Sequence, residues 1–219
     1  MCTPVDLEAL AVGFLFNEGL IDHFDEIASV RVCERQDNVD VWLTHAVARP
    51  TQWQRTSGCA GGVTGAQNHI NAQTSPTGLI QDSVRFTPPQ ITILMSSLLA
   101  SQNLYQESGG VHSSALSDGE KLVLIAEDIG RHNTLDKIAG RYLLERIRVE
   151  PRLLFTTGRV SSEMLQKTVR LGAAAIISRT APTSLSVRLA ETAGITLIGY
   201  ARRDRFNVYT HPERIEEFE

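Results

Sequence analysis

Leu7, Leu10, Ala11, Phe14 and Leu15 recur at helical spacing, with Thr3, Pro4 and Asp6 as a start signal and Gly19 as a stop, so the chain is expected to open with an amphipathic helix. Val30 and Val32, then Val39, Val41 and Leu43, alternate on either side of Gln36-Asp37-Asn38, which predicts a hairpin carrying Cys33. From Thr44 to Phe86 neither period is present, and so long a polar stretch inside a compact protein reads as functional or disordered. Thr87-Pro88-Pro89 then opens a helix running to about Asn103, with Ile91, Leu94, Met95, Leu98 and Leu99 at core spacing.

The remainder is more regular. Val111 to Leu116 and Leu122 to Ala126 flank Ser117-Asp118-Gly119-Glu120, a hairpin turn by composition. Helices are predicted from Asn133 to Arg146, Ser161 to Leu171 and Ser184 to Ala193. They alternate with strands from Leu153 to Thr156, Ala173 to Ser178 and Ile195 to Tyr200, and Phe206 to Thr210 adds an edge strand. This alternation predicts an α/β layer with a mostly parallel sheet and right-handed crossovers, beside a smaller N-terminal α+β part. The boundary is placed between Phe86 and Gly109, giving residues 1–86 (helix, hairpin and long loop) and 87–219 (α/β).

Composition narrows the class. At 219 residues, 42% hydrophobic and 21% charged, the chain can bury a core without staples. Three cysteines without paired spacing argue against a disulfide framework and for a reducing, cytoplasmic setting. No stretch has membrane-spanning length, and the start lacks the pattern of a signal peptide. A formal charge of −4 gives no global reason to bind nucleic acid, so any anion site must be local.

Such a site is suggested by repetition. The predicted strands of the α/β part are followed within a few residues by arginine: Arg131, Arg159, Arg179, then Arg202, Arg203 and Arg205. Parallel strands bring their carboxyl ends to one sheet edge, where open α/β proteins bind ligands. Two of the loops also open helices, whose free N–H groups favour anions. Taken singly, each arginine reads first as a solvated charge or an ion-pair partner; the repetition at equivalent positions favours a phosphate-bearing ligand. Glu127-Asp128-Ile129-Gly130-Arg131-His132-Asn133 is the densest of these turns. Local ion pairs and capping account for Asp128 and Asn133 but do not call for His132. His132 and His112 read either as phosphate donors that titrate near neutrality or as satisfied core histidines.

Cys59 lies in Ser57-Gly58-Cys59-Ala60-Gly61-Gly62, near the middle of the aperiodic stretch. Flanking glycines remove steric cover and let the backbone bend, which suits a thiol that must visit something. The alternative is a small inert side chain in a loop. The histidines and cysteines lack any close ligand spacing, so no metal site is expected.

These residues together are specific enough to resemble a known family. Thr3-Pro4-Val5-Asp6-Leu7 with Gly13-Phe14-Leu15 and Glu18-Gly19, Ser57-Gly58-Cys59, and Gly110-Val111-His112 are similar to FdhD. So are Glu127 to Asn133 with Asp136-Lys137, Gly158-Arg159-Val160-Ser161-Ser162-Glu163, and Ser178-Arg179-Thr180-Ala181-Pro182-Thr183-Ser184. The resemblance runs through essentially the whole chain. It implies a cytidine-deaminase-like layered α/β fold; deamination is not implied, because the chain has no Pro-Cys-x-x-Cys zinc signature.

The resemblance further implies a sulfurtransferase of formate dehydrogenase maturation. Such a protein takes a persulfide from a cysteine desulfurase and passes sulfur to the molybdenum bis(molybdopterin guanine dinucleotide) cofactor, and it tends to be a homodimer. Cys59 matches the persulfide-bearing cysteine. Tyr200-Ala201-Arg202-Arg203-Asp204-Arg205 matches the stretch that contacts the guanine nucleotide, and Arg131, His132, Arg159 and Arg179 are assigned to the cofactor on their positions.

Two departures stand out. Many family members carry a second cysteine where this chain has Gly62, so release of sulfur by an internal disulfide is not expected within this loop. Family chains also usually carry a further segment ahead of the Thr3-Pro4 motif, and a short start is expected to leave a sheet edge uncovered. Alongside the sulfur carrier, a non-catalytic chaperone for the same cofactor accommodates Gly62, and a nucleotide hydrolase rests on Asp128 and His132 alone.

Overall fold

The computed structural model describes residues 1–48 and 84–216 in full, and 54–55 and 63–64 as backbone. Cys59 and Gly62 lie outside the described residues.

The first helix, α1 (Leu7–Asn17), starts later than its signal suggests. Asp6, in the left-handed region at φ 53°, precedes it without a side-chain cap. Thr3, expected to belong to the helix start, accepts a hydrogen bond from the Ile129 N–H instead. The stop is as expected: Gly19 at φ 72° lets Gly19 and Leu20 donate back to Phe16 and Leu15, satisfying carbonyls the helix leaves open. Strands β1 (Ile27–Val32) and β2 (Val39–Leu43) form the predicted antiparallel hairpin. A two-residue antiparallel pair, β3 (Gln54–Arg55) and β4 (Val63–Thr64), lies within the stretch read as aperiodic.

Helix α2 (Pro88–Ala100) opens on a capping box between Thr87 and Gln90. It stops short of Asn103, and a separate turn, α3 (Asn103–Ser108), follows. The buried Gln102 between them donates to Ser113 Oγ at 2.8 Å, a tertiary contact that no local period encodes. Then come β5 (His112–Ser117), β6 (Leu122–Asp128), α4 (Arg131–Leu144), β7 (Leu153–Thr156), α5 (Ser162–Arg170), β8 (Ala175–Ser178), α6 (Ser184–Ala193), β9 (Thr196–Arg202) and β10 (Arg205–Val208). Helix α4 begins two residues earlier than predicted, which places Arg131 and His132 in its first turn.

The six strands β5 to β10 form one sheet in the order β10-β9-β8-β7-β5-β6. The expectation of a mostly parallel sheet holds only for β7, β8 and β9; the pairs β5–β6, β5–β7 and β9–β10 are antiparallel. The reason is connection length. The turns after β5 and β9 are too short for a crossover and can only return the chain antiparallel. Because β5 is inverted between β6 and β7, the carboxyl ends of β6, β7, β8 and β9 still meet at one edge, joined there by the amino end of β5.

Alternate residues of each strand feed opposite faces. Leu116, Leu154, Ile176 and Leu197 pack under α4, α5 and α6, while Ala115, Phe155, Ile177 and Ile198 pack under α2. Val12 and Phe16 of α1, with Ile21 beyond it, enter the first of these clusters, so the N-terminal helix belongs to the α/β core. Helix α1 crosses α4 at backbone contact. A Cβ on Gly13 would fall 1.7 Å from the Asp136 carbonyl oxygen, and one on Gly140 would fall 1.8 Å from that of Ala9.

Candidate functional site at the carboxyl edge of the sheet

The edge where the strand ends meet is floored by buried hydroxyls. Ser114 Oγ lies 2.7 Å from Thr134 Oγ1 and 3.0 Å from Thr156 Oγ1, and Thr156 Oγ1 accepts from the Gly158 N–H at 3.2 Å. Ser178 Oγ donates to the Gly158 carbonyl at 2.8 Å. Sequence reading overlooked this layer. Its one visible signal is that β7 and β8 each end on a hydroxyl residue, Thr156 and Ser178, instead of the apolar residues that fill the rest of both strands. The hydroxyls satisfy backbone groups where the ladders stop, so the loops above need not do so.

Above this floor the turn after β6 is fully tied. Asp128 pairs with Lys137 at 2.7 Å, both side chains completely buried. Asp128 also accepts from the N–H groups of Thr3 and Gly130 and from Asn133 Nδ2, at 3.0, 2.8 and 2.8 Å. Both carboxylate oxygens are therefore engaged, and Asp128 is built as a bracket for its own loop. That removes the carboxylate on which the hydrolase reading relied. Glu127 is likewise structural: it accepts from the N–H groups of Leu104 and Tyr105, fastening α3 to the edge.

Arg131, His132 and Arg159 come together as predicted, and His112 joins them. Arg131 is buried and lies across Gly158, where a Cβ would sit 2.9 Å from the Arg131 Cβ. Arg159 is exposed in the next loop. Burial lowers the pKa of His112, and the positive charges of Arg131 and Arg159 lower it further. His132 is lowered to about 3 by burial, then by Lys167 and Arg131, with Glu163 opposing and His112 adding to the effect. Neither ring carries charge at neutral pH. Two guanidinium groups beside two histidines of lowered pKa give this end of the edge donors that suit an anion.

Ser161 caps α5 as expected, accepting from the Met164 N–H, and its hydroxyl lies 3.2 Å from His132 Nε2. The positive end of α5 therefore faces the same group. Burial pushes the Glu163 carboxyl up, but hydrogen bonds led by the one from Ser161 prevail and leave it lowered.

The remaining predicted residues form a second group at the other end of the edge. Arg202 donates through Nε to the Arg179 carbonyl at 3.2 Å and lies 5.9 Å from the centre of the Tyr200 ring. Ala201 is buried in the core under α2, so only its backbone is available to a ligand. Arg205 faces Arg202 across the β9–β10 ladder. Tyr200 and Arg203 adopt the left-handed region at φ 54° and 55°, an unusual choice for large side chains and one that clusters at ligand sites. Arg203 and Asp204 border an open cleft of about 590 Å³ against Ile93, Ser96, Ser97 and Ala100 of α2.

Among the described residues, no group of three or more His, Cys, Asp or Glu side chains could hold a metal ion. No helix among them is long and apolar enough to cross a membrane.

A family model described as FdhD/NarQ matches residues 1–216. The chain belongs to the FdhD/NarQ family. It is 39% identical to the sulfur carrier protein FdhD of Bacillus subtilis (strain 168), over 99% of this chain and 83% of that protein. It is 36% identical to the protein of the same name from Staphylococcus haemolyticus (strain JCSC1435), over 100% of this chain and 83% of the other. Among solved structures it resembles a crystal structure from Desulfotalea psychrophila, provisionally assigned as a formate dehydrogenase accessory protein. The TM-score is 0.78 at 31% identity, covering 99% of this chain and 82% of that one. Of the motifs that carried the FdhD resemblance in the sequence, Thr3 and those from Gly110 onward line or brace the carboxyl edge of the sheet, while Gly13 seats α1 on α4 and Gly19 ends α1; the Cys59 loop lies outside the described residues.

Proposed function

We propose that this FdhD/NarQ chain is a cytoplasmic sulfur carrier of formate dehydrogenase maturation on a cytidine-deaminase-like scaffold. The observation that carries the proposal is the match of residues 1–216 to a family whose curated relatives are named sulfur carrier proteins. The Cys59 thiolate attacks the terminal sulfur of a cysteine desulfurase persulfide. As the new sulfur–sulfur bond forms, the donor's bond breaks and its thiolate leaves. The outer sulfur on Cys59 would then pass as a neutral sulfur atom to the molybdenum bis(molybdopterin guanine dinucleotide) cofactor, which is cargo here. The sulfur–sulfur bond breaks, Cys59 leaves as thiolate, and a reduced metal in the cargo would supply the two electrons that bring the sulfur to the sulfide level, with a homodimer of the chain performing the transfer.

The strand-end edge supports this reading. Arg131 and Arg159, the neutral His112 and His132, and the start of α5 suit a phosphate group; Arg179, Arg202 and the left-handed Tyr200 and Arg203 suit a nucleotide's outer end. Intact mass after incubation with a cysteine desulfurase and cysteine tests the transfer step. A one-sulfur gain that disappears in Cys59→Ser is expected, and a gain that persists in that variant would remove Cys59 from the mechanism.

Gly62 favours a second reading, a chaperone that binds the cofactor without carrying sulfur. In that case Cys59→Ser leaves both nucleotide binding and formate dehydrogenase maturation intact, and only substitutions at the arginine edge impair them.

A further inference from the structure

Residues 1–3 are tied to the turn after β6 through Thr3 and the Met1 carbonyl. The Thr3 N–H donates to Asp128 Oδ2 at 3.0 Å and the Ile129 N–H donates to Thr3 Oγ1 at 3.0 Å. Lys137 Nζ donates to the Thr3 carbonyl at 3.2 Å and Asn133 Nδ2 to the Met1 carbonyl at 3.1 Å. Lys137 completes its set with Asp128 at 2.7 Å and the Glu127 carbonyl at 3.1 Å, so all three ammonium protons are directed.

The backbone fixed in this way is that of Ile129 and Gly130, directly ahead of Arg131 and His132. Gly130 is the N-cap of α4 and has no side chain with which to cap it. Its N–H is held by Asp128, and a Cβ there would meet the Asn133 amide at 2.9 Å. The entry angle of α4, and with it the point from which the Arg131 and His132 side chains leave the backbone, is thus set by contacts that reach back to the start of the chain.

We propose that Thr3 and Lys137 are positioning residues of the anion site, holding the Ile129–Gly130 backbone so that Arg131 and His132 meet a ligand's phosphate in a fixed geometry. This rests on the reading of the sheet edge as a nucleotide site. It assigns the Thr3-Pro4 motif a role in place of the helix start that the sequence predicts, since α1 begins only at Leu7. Lys137→Met is the harsher lesion, but it strands a buried Asp128 charge, so Thr3→Val carries the test. Valine keeps the shape and both backbone tethers and removes only the acceptor of the Ile129 N–H.

The experiment uses the full chain, with GDP as the probe, and compares the native protein with Thr3→Val, Thr3→Ser and Arg131→Ala. GDP affinity is read by calorimetry well below every variant's unfolding temperature, and the His132 ring is followed by NMR across a pH titration. Thr3→Val is expected to weaken GDP by about three- to tenfold, the worth of one hydrogen bond. It should also displace the His132 resonances, and Thr3→Ser should restore both. A His132 spectrum and titration in Thr3→Val that superpose on the native ones would overturn the positioning role, whatever GDP does. If Arg131→Ala weakens GDP and Thr3→Val does not, the inference also fails while the nucleotide reading stands. If Arg131→Ala binds GDP like the native chain, the nucleotide reading itself fails and takes the ligand part of the inference with it.

Discussion

In the turn after β6, Asp128 and Lys137 are wholly buried, Arg131 and His132 are nearly so, and both Asp128 oxygens are engaged. In the turn after β9, Arg202, Arg203, Asp204 and Arg205 are all exposed, and two residues of the segment sit in the left-handed region. The two turns carry similar residues to the same sheet edge, yet the first is braced by charge pairing and the second is held mainly by its β9–β10 ladder. A braced turn presents its groups with little reorganisation, and an exposed one can adapt to the far end of a long ligand. On the proposed function, the first turn is a fixed phosphate seat and the second a conforming grip.

The largest expected effect separates the two turns by stability. Lys137→Met leaves Asp128 as an uncompensated buried charge and should cost about 3–5 kcal/mol, read by denaturant unfolding. Arg203→Ala, by contrast, should stay within about 0.5 kcal/mol of the native chain. Equal losses would mean that the β9–β10 turn is braced as tightly as the other.

A smaller effect follows from the charge state of His132. Its pKa is depressed to about 3 in the folded chain against an ordinary value of 6.5, so below pH 6.5 the unfolded chain takes up the extra proton. Native stability is therefore complete above pH 6.5 and falls as pH drops toward 3, and His112, also lowered, acts in the same direction. His132→Gln should flatten this acid limb by up to about 1.4 kcal/mol per pH unit. An unchanged slope in urea unfolding between pH 6.5 and 4 would show that the ring is solvated.

The smallest expected effect concerns Arg203. Arg203→Gly relieves a left-handed residue while freeing the unfolded chain, two effects that nearly offset. Stability should change by less than about 1 kcal/mol, while GDP binding weakens through loss of the guanidinium. Unaltered GDP affinity would place Arg203 outside the site and leave the cleft against α2 without a nucleotide role.

Much of the molecule was legible from spacing. The strands of the α/β part, the Ser161 cap, the Gly19 stop and the arrival of Arg131, Arg159, Arg179 and Arg202 at one edge all follow from periodicity and chain direction, because each depends on residues within a few positions of one another. Thr3 was misread because its hydroxyl is engaged 126 positions away, at Ile129. The break between α2 and α3 was missed for the same kind of reason, since Gln102 is spent on Ser113 across the fold.

The sequence by itself determined most of the elements of the α/β part, the β5–β6 hairpin among them, and which edge gathers the arginines, since hydrophobic period and strand direction are local properties. Only the tertiary structure decided that β5 lies between β6 and β7, that Asp128 is a bracket and not a base, and that His132 stays neutral. Each of these depends on what packs against a residue from elsewhere in the chain: burial sets the histidine's charge, Lys137 and Thr3 consume the carboxylate, and β7 pairs along the free side of β5.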